Sequence, residues 1–264
     1  MTLSEAQNRT GEVVQSVSRA VRLLRCFAES EVESMTLTEL AHRTGLHLTT
    51  AHRLLRTLCA ESVLAYSQAS ERYSLGPMTL RLGRSAAEFS GLDHVAPLLR
   101  RLVDDTGETA GFSTREGAMV RTMVTVESEQ PLRFDGRSQT RTPMHISAAG
   151  KALLAFGPQP LAEAVAALGR LPASTDRTLT TFRALEADLA VSRARGYTVC
   201  DEEQFVGVRA YGAPLLDEHG IARAAIAVIG PTARLTDARV PDVVASVQAA
   251  AAALTRVLHL ERLG

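Results

Sequence analysis

Apolar residues recur at helical spacing near the start of the chain. The stretch SVSRAVRLLRCFAES (16–30) predicts an amphipathic helix. It is expected to pack through Val17, Ala20, Val21, Leu24 and Phe27. Thr36 and Glu39 then form a T-x-x-E capping box that opens a second, shorter helix, which Gly45 ends. A third helix is predicted at about 48–60.

The next segment alternates in the manner of a β-hairpin. VLAYSQASERYSLG (63–76) has two β-prone runs around the polar turn SQASE. Three helices followed by this hairpin predict a compact first domain over 16–76, preceded by a flexible N-terminus at 1–15. After it, MTLRLGRSAAEFSG indicates a connector helix within 77–91, closed by glycine.

Helices and strand pairs alternate through the remainder, 92–264, which we expect to be one ligand-binding domain. An α+β or α/β fold with a mostly antiparallel sheet is predicted. The expected elements are a helix at 92–107, two strands in 108–128, two further strands in PLRFDGRSQTRTPMHIS, helices in AAGKALLAF, PLAEAVAALG and FRALEADLAVSRARG, a hairpin turning at 217–220, and a last helix at 236–262. The apolar face of that last helix is expected to pack in the core and is a candidate oligomer contact: Val247, Ala250, Ala251, Leu254 and Leu258.

Composition narrows the classes of protein that this pattern allows. The chain has 264 residues, 45% of them hydrophobic and 22% charged, with zero net charge, so nucleic-acid binding requires a local basic patch. The three cysteines form no CxxC pair, which argues against a structural zinc site or a disulfide framework. The N-terminus has no apolar signal core, and no apolar run reaches the roughly 18–20 residues of a membrane span. We therefore expect a cytoplasmic protein without membrane contact.

The third helix supplies the basic patch. On a helical wheel its apolar arc, expected to pack inward, consists of Leu48, Ala51, Leu54, Leu55 and Leu58. The opposite arc carries Thr49, Arg53, Arg56 and Thr57, with Thr50 and His52 at its flanks. Arginine forks suit guanine edges in a major groove, and threonine suits phosphate or a thymine methyl group. From 36 to 58 there are three arginines and one glutamate, which gives this stretch a charge of +2.

Helix–turn–helix followed by a hairpin predicts a winged helix that binds double-stranded operator DNA. The candidate DNA-binding residues are Arg43, Thr44, His47, Thr49, Thr50, His52, Arg53, Arg56 and, in the hairpin, Arg72. The alternative is that the same polar arc is only the solvated face of a small helical bundle. His42, His47 and His52 lie five residues apart, so none shares a helical face at i, i+4 and no metal site is expected.

Several blocks of sequence resemble the IclR family of bacterial transcriptional regulators. SVSRAVRLLRCF, TLTELAHRTGL, TTAHRLLRTL and RYSLGPMTLRLG are similar to its winged-helix half. PMHISAAGKALLAF, RARGYTVCDEEQFVGVRAYGAPLLDEHG and AIAVIGPTARLT are similar to its effector-binding half. The resemblance implies a repressor or activator with a GAF-like effector domain holding a small metabolite. It also implies a dimer formed through the DNA-binding halves, often a tetramer, that reads palindromic operators.

Two departures from the family pattern stand out. Where the family often has Pro and then Lys or Arg, this chain has His47 and Leu48, so one expected phosphate contact is missing. In relatives that hold small carboxylates, Asp, Cys and Ser line the pocket at four positions that correspond here to Cys200, Ala210, Ala227 and Ile229. The resemblance places the remaining effector contacts on the loop of Ala148, Ala149 and Gly150.

Three apolar side chains and a thiol cannot satisfy a small anion, because desolvating its charge is costly. We therefore expect an effector larger or more apolar than a two- or three-carbon acid, such as an aromatic acid or a lactone. The alternative is an unliganded pocket filled by Tyr211 or Phe205.

The sequence offers three weaker constellations. Gly150-Lys151 is not a phosphate-binding P-loop, since His145 and Ala152 occupy two of the positions that such a loop requires. Instead, 147–150 is expected to open a helix whose N–H groups face the pocket.

Asp201, Glu202 and Glu203 are either paired general acids or metal ligands or, as we favour, carboxylates at a strand end with Arg209 as an ion-pair partner. His145 and Cys200 suggest a base and a nucleophile, but an inert buried thiol fits the apolar context better.

We expect no cofactor and no enzyme, since no nucleophile, base and oxyanion donor converge in the sequence. The competing functions are an enzyme with its active site in the larger domain and a scaffold that binds protein through the winged helix.

Overall fold

The computed structural model describes residues 14–28, 30, 32–135 and 141–260. The chain divides into two compact units between Ala86 and Ala87. The first unit holds the segment expected to bind DNA, and the second holds the expected effector domain. The predicted flexible N-terminus, 1–15, lies almost entirely outside the described residues.

The first unit contains three helices and a small three-stranded sheet before a fourth helix. Its elements are α1 (Gln15–Ala28), β1 (Ser34–Thr36), α2 (Leu37–Thr44), α3 (Leu48–Ala60), β2 (Leu64–Ser67), β3 (Arg72–Leu75) and most of α4 (Pro77–Ser90), whose last residues belong to the second unit. The strands are antiparallel in the order β1-β3-β2, so the predicted hairpin is confirmed. Strand β1 was not predicted. It has only three residues, and its last residue, Thr36, also caps α2.

Local chemistry sets the bounds of α2. The Thr36 hydroxyl accepts a hydrogen bond from the Glu39 N–H at 3.3 Å, and a Glu39 carboxylate oxygen accepts one from the Thr36 N–H at 2.7 Å. Gly45 ends the helix in the left-handed conformation, with φ of 66°. The capping box and the glycine stop read from the sequence are both confirmed.

The core of the first unit lies among α1, α2, α3 and the sheet. Leu23, Leu40 and Leu55 are completely buried there. Two expectations about this core are wrong. In α1, Val17 and Val21 are 59% and 43% exposed, because the buried face is rotated around the helix toward Leu23, Cys26 and Phe27.

In α3, Leu48 is 51% exposed and does not belong to the apolar arc that packs inward. It is the first residue of the helix, about two turns before the fully buried Leu55 and next to the exposed N-cap His47. A helical wheel assigns a residue to one face of the helix, but it does not show at which turn that face begins to pack against neighbouring elements.

The second unit is a six-stranded antiparallel sheet with helices on both faces. Its elements are α5 (Val95–Thr106), β4 (Thr109–Glu116), β5 (Met119–Val126), β6 (Arg141–Pro143), α6 (Ala148–Ala155), α7 (Leu161–Ala166), α8 (Phe182–Arg195), β7 (Thr198–Asp201), β8 (Val208–Leu216), β9 (Ala222–Pro231) and α9 (Val240–Val257). The strand order is β6-β5-β4-β9-β8-β7. Helices α5 and α9 cover one face in one apolar cluster, and α6, α7 and α8 form a second cluster on the other face. This confirms the two-domain α+β fold with an antiparallel sheet.

Two predicted elements differ in the structure. In PLRFDGRSQTRTPMHIS, β6 is present, but 131–135 form no strand, and 136–140 lie outside the described residues. The last helix is α9, which is shorter than 236–262. It follows a 3₁₀ turn at Asp237–Arg239 and ends where Leu258 becomes extended. Its apolar face does pack in the core, with Val247, Ala251 and Leu254 buried.

Within the described residues no helix is both long enough and apolar enough to cross a lipid bilayer.

Candidate DNA-reading surface and effector cavity

The outer face of α3 is open, as the DNA-binding hypothesis requires. Thr49, Arg53 and Arg56 are exposed, whereas Ala51 and Leu55 on the opposite side are completely buried. His52 is exposed beside them. We call this exposed polar face of α3 the reading face. It presents two guanidinium forks, a hydroxyl and an imidazole from a rigid helix, which are groups suited to base edges and phosphates.

The start of α3 adds a second feature that favours DNA. The N-cap is His47, whose side chain makes no capping hydrogen bond. The N–H groups of the first helical turn have no intrahelical carbonyl partner, and they are the usual phosphate contacts of such helices. The exposed Leu48 lies at the same end, where an apolar side chain can meet a thymine methyl group.

The other sequence-predicted DNA contacts are placed less uniformly. Arg43 is exposed and Thr50 is half-buried. The Thr44 hydroxyl donates to the Leu40 carbonyl oxygen at 2.7 Å, which ties it to its own helix. In Arg72, Nε donates to Ser34 Oγ at 3.0 Å and Nη2 donates to Glu39 Oε2 at 3.2 Å. Arg72 therefore fastens the wing to the start of α2, and its phosphate contact stays a prediction.

A wing residue that sequence reasoning missed is Tyr66. It is 46% exposed and its ring centroid lies 4.8 Å from that of Tyr73. Tyr66 lines a groove on the first unit together with His52 and Arg56 of the reading face. The signal available in the sequence was an aromatic residue inside the predicted hairpin.

The second unit contains a cavity between the sheet and α6. Its floor is formed by residues on adjacent strands: Gly111 pairs with Ala227, and Ile229 pairs with both Thr109 and Ala210. The small residues Gly111, Ala210 and Ala227 leave room above the sheet. The cavity volume is about 70 Å³.

The first turn of α6 closes one end of this cavity. Thr198 Oγ1 donates to the Ala148 carbonyl oxygen at 2.6 Å, which holds the turn against the sheet. A side chain at Gly212 would bring a Cβ within 2.7 Å of that same oxygen, so the close approach requires glycine there. Ser147 caps α6 by accepting from the Gly150 N–H at 3.3 Å. Ala148 and Ala149, in the first turn of α6 at the positive end of its dipole, line the cavity.

The cavity wall has two chemically different sides. On β8 and β9 it is apolar, with Ala210, Ala227 and Ile229. On β4, β5 and β6 it carries the hydroxyls of Thr109, Ser113, Thr122, Thr125 and Thr142. Phe134 and Gln204 complete it, and no ionisable side chain is among the described residues that line it.

Family models match both units. Residues 16–67 match the IclR helix-turn-helix domain, and residues 91–256 match the model described as bacterial transcriptional regulator IclR C-terminal. The chain belongs to the IclR family of bacterial transcriptional regulators. It is thus a DNA-binding transcriptional regulator and not an enzyme.

Individual relatives agree with this assignment along most of the chain. The HTH-type transcriptional regulator BhcR of Paracoccus denitrificans is 39% identical over 228 residues, which cover 86% of this chain and 81% of that protein. The acetate operon repressor of Salmonella typhimurium is 34% identical over 249 residues, with 93% and 90% covered. An IclR-type regulator structure from Alicyclobacillus acidocaldarius superposes with a TM-score of 0.81 at 26% identity, covering 92% of this chain and 98% of that one.

The cavity of this IclR-family chain contains five of the seven predicted effector-site residues: Ala148, Ala149, Ala210, Ala227 and Ile229. Gly150 is absent from the lining and has a packing role, since a Cβ there would lie 2.4 Å from the Met144 carbonyl oxygen. Cys200 lies in a small cluster with Ala148 and Ala210 and is also absent from the lining.

The alternative of a cavity filled by Tyr211 is wrong. Tyr211 is buried in the cluster that includes α5 and α9, on the other face of the sheet. Phe205 does not line the cavity either, although its ring centroid lies 5.9 Å from that of Phe134, which does. The hydroxyl-bearing side of the cavity wall was not predicted from the sequence. The only local signal for it is the two-residue spacing of Thr109, Gly111 and Ser113 along β4.

Lys151, from the rejected P-loop pattern, is completely buried in a salt-bridge triad. Its Nζ lies 2.6 Å from Glu203 Oε1 and 3.1 Å from Asp188 Oδ2, and it donates to the Val199 carbonyl oxygen at 3.1 Å. Burial raises the pKa of the Glu203 carboxyl, and the neighbouring Lys151 charge opposes that rise. The triad joins α6, α8 and the loop after β7, so the role of Lys151 is to hold these elements together.

The three consecutive carboxylates are held by cations and by the backbone, and Arg177 lies between Asp201 and Glu202, at 2.7 and 3.6 Å from their nearest oxygens. Asp201 Oδ1 lies 2.6 Å from Arg209 Nε, which confirms the predicted ion pair, and Arg209 also contacts Asp237. Glu202 accepts from the Gly207 N–H at 2.8 Å, and Glu203 contacts Lys151. Each of the three is engaged by a cation or a backbone N–H, which agrees with the favoured interpretation of structural carboxylates at a strand end. Among the described residues no cluster of three His, Cys, Asp or Glu side chains is placed to hold a metal.

Cys200 is expected to be chemically inert in the folded protein. Burial raises its pKa to about 12, and its thiol donates to the Ile146 carbonyl oxygen at 3.1 Å. His145 is occupied elsewhere, with Nε2 3.0 Å from the Pro172 carbonyl oxygen. Iodoacetamide at pH 8 should leave Cys200 unmodified in the native protein and alkylate it after unfolding, as read by peptide mass spectrometry. The half-buried Cys59 is the internal control and should react sooner; equal native rates would contradict the prediction.

Proposed function

We propose that this chain is a ligand-responsive, sequence-specific regulator of the IclR type, in which an effector in the cavity alters affinity for operator DNA. The observation that carries the proposal is that one chain holds both an exposed basic reading face and a separate cavity closed by a helix N-terminus. Linkage requires that effector and DNA change each other's affinity by the same factor. Such a regulator acts where the chromosome is, in the bacterial cytoplasm.

We assign base reading to Arg53 and Arg56 and a thymine or phosphate contact to Thr49, because all three are exposed on α3. The first-turn N–H groups of α3 contact phosphate. The supporting contacts proposed around them are Arg43, Thr44, His47, Thr50, His52 and Arg72.

We further propose that the protein binds DNA as a dimer or a tetramer. A two-fold pair of reading faces matches a palindromic operator, because the symmetry of the site mirrors that of the protein. An exposed apolar stripe that begins just before α1 and continues along it supports self-association: Val14, Val17 and Val21 are 61%, 59% and 43% exposed. In a monomer such a stripe would remain in water.

The effector is proposed to have an oxygen function bound at the start of α6 and an apolar body against Ala210, Ala227 and Ile229. The N–H groups of the first helical turn and the helix dipole favour a negatively charged or strongly polar oxygen. The three apolar side chains have no hydrogen-bond donor or charge with which to bind a charged group. A molecule larger or more apolar than a two- or three-carbon acid satisfies both requirements.

Electrophoretic shift of the upstream DNA of its own gene tests the DNA half of the proposal. Replacing Arg53 with alanine should weaken that complex by about 1–3 kcal/mol if Arg53 reads a base. Binding should also fall steeply with added salt, as phosphate neutralisation requires. Arg101→Ala, an exposed arginine on α5, is the matched control and should leave the complex unchanged.

The outcomes separate the competing functions. If Arg53→Ala binds as tightly as the wild type, Arg53 is not a reading residue. If the wild type gives no shift at low salt, the winged helix serves another purpose, such as a protein contact, and the DNA-binding proposal fails.

A further inference from the structure

The Lys151 triad connects two parts of the cavity wall. On α6, Ala148 lines the cavity, and Lys151 follows it in the same helix. On the loop after β7 (202–207), Gln204 lines the cavity. Its neighbour Glu203 lies 2.6 Å from Lys151 Nζ through Oε1. The triad therefore fastens the loop side of the wall to the helix side.

The triad carries more negative charge than it can balance. Lys151 is completely buried and supplies one positive charge, whereas Glu203 and Asp188 supply two negative charges when both are ionised. Glu203 Oε2 and Asp188 Oδ2 are buried and accept no hydrogen bond from the described part of the chain, although Asp188 Oδ2 lies 3.1 Å from Lys151 Nζ. An unbalanced charge on such oxygens is costly, because neither water nor a donor stabilises it. Uptake of one proton makes the triad neutral.

The ionisable groups around the triad do not supply the missing positive charge. Cys200 on β7 is a neutral thiol, since burial raises its pKa to about 12. Burial also lowers the pKa of His145 before α6, and the Lys151 charge acts in the same direction, which favours the neutral imidazole. The other charged groups on the loop and against it pair with one another: Asp201, Glu202, Arg177 and Arg209. The balancing charge is therefore a proton on one of the two carboxylates of the triad.

Glu203 is the carboxylate that favours this proton. Its side chain is 10% exposed, against 28% for Asp188. Burial raises the pKa of Glu203, the charge and hydrogen bond of Lys151 oppose that rise, and the charge of Asp188 adds to it. As the pH falls, Glu203 therefore takes up its proton earlier in the folded chain than in the unfolded one.

The carboxylate of Glu203 cannot reach water unless the loop opens. Thr178 Oγ1 donates to the Glu203 carbonyl oxygen at 2.7 Å, and Thr175 Oγ1 donates to the Glu202 carbonyl oxygen at 2.6 Å. A group whose pKa is raised by folding contributes stability that is fully present below its unfolded pKa. That contribution is lost as the pH rises through the folded pKa. Any local opening that returns Glu203 to water therefore becomes easier as the pH rises.

We infer that the Lys151 triad is a pH-sensitive switch in the cavity wall. Uptake of one proton by its carboxylates stabilises the closed loop after β7, and loss of that proton favours opening of the loop. Because Gln204 belongs to this loop, opening changes the wall of the cavity. The switch does not depend on what the cavity binds or on contact with DNA.

Hydrogen–deuterium exchange of the full chain between about pH 5 and 8 tests this inference. Exchange times are scaled to the intrinsic rate of an unfolded peptide of the same sequence. In the wild type, protection of 202–207 should fall as the pH rises, by up to about tenfold per pH unit for one proton, and should level off once Glu203 is ionised. In Glu203→Gln, which keeps the side-chain shape and cannot ionise, this fall should be absent.

Two further variants separate the triad from its surroundings. Asp188→Asn removes the excess negative charge and leaves Lys151 paired with Glu203, so the fall in protection should move to lower pH. Glu186→Gln changes an exposed carboxylate on the same helix as Asp188 and should behave as the wild type does. Titration of His145 is common to all these proteins and cancels when they are compared.

Infrared difference spectra over the same pH range detect the proton without reference to motion of the loop. The wild type should show the carbonyl stretch of a protonated carboxyl group at pH values where exposed glutamates are already ionised. Glu203→Gln should lack this band, and Asp188→Asn should show it only at lower pH. The spectra of the wild type and of Asp188→Asn keep the test decisive even if Glu203→Gln is poorly folded by circular dichroism.

A wild type whose protection in 202–207 is constant or rises with pH would overturn the inference. So would a Glu203→Gln variant that keeps the wild-type fall, or a wild type without the carboxyl band. The same holds if Asp188→Asn titrates as the wild type does.

Discussion

Replacing Lys151 with alanine should lower the free energy of unfolding of the second unit by about 3–5 kcal/mol, the cost of breaking a buried ion pair by removing one partner. Lys151 is completely buried between Glu203 and Asp188, whose exposures are only 10% and 28%. Without the ammonium group, Glu203 would remain buried with no cation at hydrogen-bond distance. Its charge would then be neutralised or drawn toward water, which would displace the loop after β7 from α6.

Hydrogen–deuterium exchange followed by mass spectrometry measures this effect unit by unit. Amides of α6 and β7 should exchange faster in Lys151→Ala, while those of α2 and α3 should not change. Arg183→Ala, an exposed cation on the same helix as Asp188, is the control and should change stability by less than about 0.5 kcal/mol. A loss below about 1 kcal/mol in Lys151→Ala would show that the triad contributes little.

Leu55→Ala should remove operator binding by unfolding the first unit. Leu55 is completely buried beside Leu23 and Leu40, and truncating such a leucine costs about 2–5 kcal/mol. A domain as small as this unit buries a limited core, so that loss is a large part of its stability. The second unit has its own core and should keep its fold.

The matched control is Leu48→Ala on the same helix. Because Leu48 is 51% exposed, its truncation should change stability by less than about 0.5 kcal/mol. Thermal unfolding by circular dichroism and the operator shift, measured on both variants, provide the comparison. Equal losses of stability would mean that Leu48 packs inward after all.

The first unit was largely predictable because its signals are local. A capping box, a glycine stop and a turn-rich hairpin each act within a few residues, and each is present in the structure. The errors there concern which side of a helix meets its neighbours. Val17 and Val21 have the spacing of a buried stripe, yet Leu23, Cys26 and Phe27 form the buried face. The spacing of apolar residues identifies the possible apolar faces of a helix, but packing against neighbouring elements determines which of those faces is buried.

In the second unit the sequence determined the succession of helices and hairpins, and resemblance directed attention to the apolar half of the cavity wall. The hydroxyl half and the Lys151 triad were decided only by the tertiary structure. Lys151 and Glu203 are 52 positions apart, and Ser113 meets Thr122 only because the register of β4 and β5 shifts between them. Local periodicity fixes the element to which a residue belongs. The contacts between distant elements depend on strand order and register, because those bring residues of large sequence separation together.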